Sequence, residues 1–135
     1  MRIVLDTNSI IQCIGHHSIY RAVWTSILSG QNNLCVSNEI LMEYDEIMRQ
    51  FFNPQFAETV VETIIKNPNT QFFTPHYHFN LITADPDDNK FVDCAIQANA
   101  HYIVTNDHHY DVLRHIDFPK VGLIKLMDFL LMIHG

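Results

Sequence analysis

Asp6, Glu43, Asp88 and Asp107 are the side chains of this sequence best placed to do chemistry together. Asp6 follows directly on the apolar run Ile3-Val4-Leu5, and Asp107 comes two residues after Tyr102-Ile103-Val104-Thr105. Both therefore leave the carboxyl ends of short strand patterns, the edge where open parallel sheets bind ligands. Glu43 stands three residues after Ile40 and four before Ile47, so it interrupts the apolar face of its own helix, whereas Asp45 is turned away to solvent. Asp88 precedes Phe91, Val92 and Ala95 by three, four and seven residues and caps the buried stripe of the next helix. Asp93 is rotated from it by roughly 140° at 3.6 residues per turn. Asp85 and Asp87 are neighbouring choices for the third acid, and helical phase selects Asp88. An Asp after a strand or before a helix has ordinary uses as a turn or N-cap residue. A Glu on an apolar face is harder to explain in such a way.

Carboxylates crowded against a core are costly and raise one another's pKa. With eight Lys and Arg in the whole chain, a bound cation is the simplest neutraliser. All-oxygen donors favour Mg2+ or Mn2+ over Zn2+.

Such a cluster needs strands and helices in alternation, and the chain supplies them. Residues 2–5 form a strand pattern. Residues 10–28 are helical, broken around Gly15-His16-His17-Ser18, with Ile19, Val23, Ile27 and Leu28 in phase and Gly30 as the stop. Leu34-Cys35-Val36 is a second strand, after which Ser37 or Asn38 caps a helix carrying Ile40, Tyr44, Ile47 and Phe51. Pro54 opens another, with Phe56, Val60, Ile64 and Ile65 inward, ending near Asn67-Pro68. Phe72-Phe73 is a short strand and an irregular stretch runs to Ala84. The acidic run from Asp85 starts a helix. Then come a strand over 102–105, a short helix over 110–113, a strand over 121–124 and a helix over 126–133. These elements predict a single domain over residues 1–135, a Rossmann-like three-layer α/β/α sandwich around a mostly parallel sheet of about five strands.

The composition agrees. At 135 residues, 47% apolar and 17% charged, the chain suits one core and excludes disorder. No apolar run reaches the roughly 18 residues needed to span a bilayer, and the N-terminus lacks a signal-peptide pattern, so a cytoplasmic protein is expected. Cys13, Cys35 and Cys94 have no CxxC spacing and read as small buried apolar residues. His16-His17, His76-x-His78 and His108-His109 lack the partners of a zinc set, although His108 and His109 stand beside Asp107. Trp24 reads as a core residue, and Phe51-Phe52 and Phe72-Phe73 as pairs alternating between core and covered surface. The net charge of −7 argues against a broad phosphate-binding face.

In order along the chain, Val4-Leu5-Asp6-Thr7-Asn8, Ser37-Asn38-Glu39-Ile40-Leu41-Met42-Glu43, Asp85-Pro86-Asp87-Asp88-Asn89-Lys90-Phe91 and Tyr102-Ile103-Val104-Thr105-Asn106-Asp107 resemble the motifs of PIN domains. The resemblance includes VapC-like toxins and covers nearly the whole chain. It implies a Mg2+- or Mn2+-dependent ribonuclease in which Asp6, Glu43, Asp88 and Asp107 are the acidic tetrad. Asp6 and Asp88 would bind metal directly, Asp107 directly or through water, and Glu43 would bind a second ion or orient the attacking water. Thr7, Asn8, Thr105 and Asn106 would support the site, with Asp87 and Asp111 within reach of it. RNA would be gripped by a few cations among Arg21, Arg49, Lys66, Lys90 and Arg114. An antitoxin protein and a homodimer are the implied partners. A partner-binding module without catalysis would have no use for four acids. An aspartate-based phosphohydrolase wants an Asp at position 8, where Asn8 stands, and a receiver domain wants a Lys that Lys120 and Lys125 supply poorly.

Overall fold

In the computed structural model, which describes residues 1–135, five short strands form one all-parallel sheet. They are β1 (Arg2–Leu5), β2 (Asn33–Val36), β3 (Gln71–Phe72), β4 (Tyr102–Val104) and β5 (Leu123–Ile124), in the order β3-β2-β1-β4-β5. Near-continuous apolar runs suit strands covered on both faces, and Ile3, Val4, Leu5, Leu34, Cys35, Val36, Ile103 and Val104 are all buried. Six α-helices complete the layers: α1 (Thr7–Cys13), α2 (Arg21–Leu28), α3 (Asn38–Phe51), α4 (Pro54–Lys66), α5 (Asn89–Ala98) and α6 (Leu126–His134). Two 3-10 segments, Pro86–Asp88 and His108–His115, lead into α5 and follow β4. α5 packs across β1, β2 and β4, α3 pairs with α4, and α2 packs on α1 and α6. The expected three-layer α/β/α sandwich is thus present.

Local chemistry starts and stops the elements where the sequence signals them. Ser37 Oγ accepts from Ile40 N to begin α3, and Asn53 Oδ1 accepts from Phe56 N at 2.8 Å, with Pro54 opening α4. Gly30 turns the chain at φ 83°, where a Cβ would lie 2.5 Å from Asn69 Nδ2. Thirty-three apolar side chains form the core, Trp24 and all three cysteines among them. Burial pushes the Cys13 and Cys94 thiols up to about 12 and Cys35 to about 11, so they stay protonated and unreactive. Tyr44 crosses from α3 to donate to the Leu5 carbonyl at 2.5 Å, tying the second helical unit to the end of β1.

The chain winds from β1 outward through β2 to β3, then returns to lay β4 on the other side of β1. The reversal falls between β1 and β4, whose register pairs Leu5 with Val104. Beyond these two carboxyl ends lies the crevice that such a switch point opens.

Between β3 and Pro86 the backbone has no regular structure, and two side chains of α5 hold it. Asn89 accepts from Ile82 N at 2.9 Å and donates to Ile82 O at 2.8 Å. Asp93 accepts from Phe79 N at 3.1 Å and faces His78 Nδ1 at 3.3 Å. Asp93 is therefore buried, contrary to its helical phase, because the returning segment covers the face that phase assigns to solvent.

Other departures are at the edges. Ile19, Leu28 and Ile65 are exposed, as are Phe51, Phe52 and Phe72, so of the two phenylalanine pairs only Phe73 packs against the core and the outer members are open to solvent. β3 begins one residue earlier than expected, β4 stops at Val104, and β5 holds only Leu123 and Ile124. The segment after Asp107 is 3-10 rather than α and extends to His115.

Candidate metal centre

Asp6 leaves β1 at the switch point and caps α1, its Oδ1 accepting from Ser9 N at 2.8 Å. Its Oδ2 accepts from the Thr105 hydroxyl at the end of neighbouring β4. Burial raises the Asp6 pKa, the hydrogen bonds from Ser9 and Thr105 oppose the shift, and the charge of Asp107 adds to it. The same Thr105 hydroxyl accepts from Asp107 N at 3.0 Å, so one side chain sets the spacing of two acids. Asp107 caps the following 3-10 segment by accepting from His109 N at 2.9 Å. The ordinary capping roles of Asp6 and Asp107 are real and leave part of each carboxylate facing the crevice.

Glu43 enters from α3 with both oxygens engaged. The Thr7 hydroxyl donates to Oε2, and Lys90 Nζ lies 2.7 Å from Oε1. Both partners of this ion pair are less than one-fifth exposed. Burial opposes the charge on Lys90, but the contact with Glu43 outweighs it and its pKa ends above the ordinary value.

Asp88 begins α5 without making a capping hydrogen bond. Its Oδ2 is buried with no hydrogen-bond partner. Burial, then the charges of Asp85, Asp107 and Asp6, push its carboxyl up to about 6, the nearby Tyr110 hydroxyl acting in the opposite direction. The Tyr110 hydroxyl is itself buried beside Asp88, and burial and the Asp88 charge hold its proton on. One ligand atom from each of Asp85, Asp88 and His109 lies within 4.8 Å of the other two. His109 Nδ1 is buried and unpartnered, 3.4 Å from Asp107 Oδ1.

A cavity of about 220 Å3 gathers Asp6, Glu43, Asp88 and Asp107, with Thr7, Asn8, Asp85 and Asp87 also in its wall. Asp87 is exposed at the rim, and Asp88 is the acid turned inward, as helical phase selects. Asn106 uses Oδ1 to accept from Leu126 N at 3.0 Å, which anchors α6 to the end of β4. Asp111 does not reach the cavity, because the 3-10 geometry carries it to the surface beside Arg114. Asp85, one of the neighbouring choices for the third acid, and His109, which follows Asp107 by two residues, both come close to Asp88.

The donor set fits a hard divalent cation. Carboxylate oxygens dominate, one of them is buried without a partner, and the acids raise one another's pKa. The five candidate RNA-gripping cations are all engaged elsewhere. Arg21 donates to Ile14 O, Arg49 binds Asp45 and Glu58, Lys66 binds Glu62, Lys90 binds Glu43 and Arg114 binds Asp111.

A family model described as PIN domain matches residues 2–109, which include all four acids. The chain belongs to the PIN-domain family. Among solved structures, this PIN chain is similar to that of VapBC2 from Rickettsia felis bound to a DNA fragment from their promoter, at 19% identity over 93% of this chain and 98% of that one, with a TM-score of 0.64. It is similar to VapBC-1 from nontypeable Haemophilus influenzae at 16% identity over 94% and 99%, with a TM-score of 0.64. The PIN domain endonuclease Utp24 aligns at 14% identity over 92% and 84%, with a TM-score of 0.53. No curated protein matches the sequence significantly. At these identities the likeness is one of fold, and it agrees with the switch-point geometry already described. No helix of this PIN chain is long and apolar enough to cross a membrane.

Proposed function

We propose that this PIN-family chain is a Mg2+- or Mn2+-dependent ribonuclease that hydrolyses phosphodiester bonds of RNA. The observation that carries the reading is the meeting of Asp6, Glu43, Asp88 and Asp107 in one cavity, with Asp88 Oδ2 buried and unpartnered. Asp6, Asp88 and Asp107 would hold the ion, with Asp85 and His109 beside them. When bound, such an ion neutralises the carboxylates, acidifies water and stabilises charge on the scissile phosphate.

The chain's own groups supply the rest. Thr105 ties Asp6 to the backbone of Asp107, so one hydroxyl holds two of the three acids in register. Glu43, clamped by Thr7 and Lys90, turns its remaining lone pairs to the cavity and orients the water that attacks phosphorus. With both Glu43 oxygens already engaged, orienting water is favoured over binding a second ion. The water's oxygen bonds to phosphorus as the P–O bond to the leaving oxygen breaks, so one product ends in the phosphate and the other in a hydroxyl that takes up the proton the water gives up.

Both VapBC relatives support a toxin role with an antitoxin partner. A small adjacent reading frame whose product suppresses cleavage separates that role from a stand-alone enzyme. The enzyme reading itself is tested by cleavage of labelled single-stranded RNA in Mn2+, Mg2+ or EDTA, with wild type, Asp6→Asn and Asp88→Asn. Metal-dependent cutting lost in both folded variants is expected. Equal cutting by wild type and variants would refute the site.

A further inference from the structure

A second cavity, of about 400 Å3, opens beside the acidic one and shares Asp6, Asn8, Ile47 and Asp107 with it. Its apolar wall is Ile11, Ile47 and Phe51, and the Phe51 side chain is 67% exposed at the last residue of α3. Its polar rim is made of the Asn8, Gln12 and Asn106 amides. The amides of Asn8 and Gln12 make no hydrogen bond within the chain, and Asn106 spends only its oxygen, on Leu126. No cation lines this space.

A strand whose phosphate enters the acidic cavity finds few Lys and Arg to hold it: Arg49 and Lys90 are ion-paired, Lys125 lies in the neighbouring cleft with Asn106 and Asp107, and the net charge is −7. An open aromatic ring flanked by aliphatic side chains and amides suits a flat, uncharged, hydrogen-bonding group. We propose that this cavity is a nucleobase subsite. An unpaired base stacks on Phe51 against Ile47, its polar edge faces the Gln12 and Asn106 amides, and the adjoining phosphate lies at the acids. This rests on the ribonuclease reading and adds to it a subsite for one base beside the scissile phosphate, which only an unpaired base can enter.

The experiment uses the full chain, Mn2+ and a labelled ten-nucleotide single-stranded RNA, with an abasic residue placed in turn on either side of the cut. Phe51→Ala is expected to lower kcat/KM roughly 5- to 150-fold, as loss of one base–aromatic stack does. One abasic position is expected to give a loss of similar size in wild type and little further loss in Phe51→Ala. Phe51→Trp retains cleavage, and the salt dependence is parallel in all three proteins because no ionic contact is removed. Wild-type cutting that persists undiminished in Phe51→Ala, or losses that simply add, would overturn the subsite while leaving the nuclease standing. No cutting by wild type would overturn both.

Discussion

Replacing Asp88 by Asn is expected to make the metal-free protein more stable and, in the same step, blind to metal. The Asp88 carboxyl is held at about 6, against an ordinary 3.8, by burial and by Asp85, Asp107 and Asp6. Each unit is worth about 1.36 kcal/mol, or roughly 3 kcal/mol for the whole shift. Partial exposure of the carboxyl screens this to about 1–2 kcal/mol. The sign follows from proton binding. Between the unfolded and folded values the native state holds more protons than the unfolded chain, so stability falls as pH rises through that window, and the penalty is complete above about pH 7. Urea unfolding in EDTA should therefore show Asp88→Asn more stable than wild type by about 1–2 kcal/mol at pH 8, and by roughly half as much at pH 5. Manganese at about a hundred times its Kd should add about 2.7 kcal/mol to wild type and almost nothing to the variant. A variant less stable than wild type at pH 8 without metal would refute the reasoning, because it would mean that Asp88 is satisfied by a partner rather than repelled by its neighbours.

Two further substitutions probe how the acids are held. Lys90→Gln removes the ammonium from beside Glu43, and Mn2+ binding by calorimetry should tighten about three- to ten-fold, the effect of one charge across a partly solvated cavity; weaker binding would show that Lys90 serves to build the ion site. Asn89→Ala deletes both hydrogen bonds to Ile82, leaving two buried backbone groups unpaired, and should cost about 2–4 kcal/mol in urea unfolding. Amide hydrogen exchange should then accelerate across residues 79–85 before it does in β1.

The four acids that line the cavity stand out in the sequence because they break rules that the rest of the chain keeps. Glu43 sits on an apolar helix face, and Asp6 and Asp107 end two strands whose apolar runs announce a sheet buried on both sides. Helical phase also separated Asp88 from Asp87, since one turn of helix carries only one of them inward. What patterning could not supply is long-range pairing. Asp93 and Asn89 look solvated until residues 78–82 fold back over them. His109 approaches Asp85 and Asp88 only because two 3-10 segments, from distant parts of the chain, meet at one crevice. Phase placed Phe51 inward because it continues the stripe of Ile40, Tyr44 and Ile47, yet it occupies the last turn of α3, beyond the layer that would cover it. The five cations were counted as free, and each had a partner that sequence distance concealed or that stood one turn away.

The clamps from Asn89 and Asp93 divide the long connection after β3 into two parts with different freedom. From Phe79 onward the backbone is fastened to the helix that begins at Asp88, so the acidic run inherits the rigidity of α5 rather than that of a loop. Upstream, residues 74–77 carry no such fastening to α5. Insertions or deletions there would be absorbed before they reached the acids, making this short stretch a place where chain length can drift while the cavity keeps its shape.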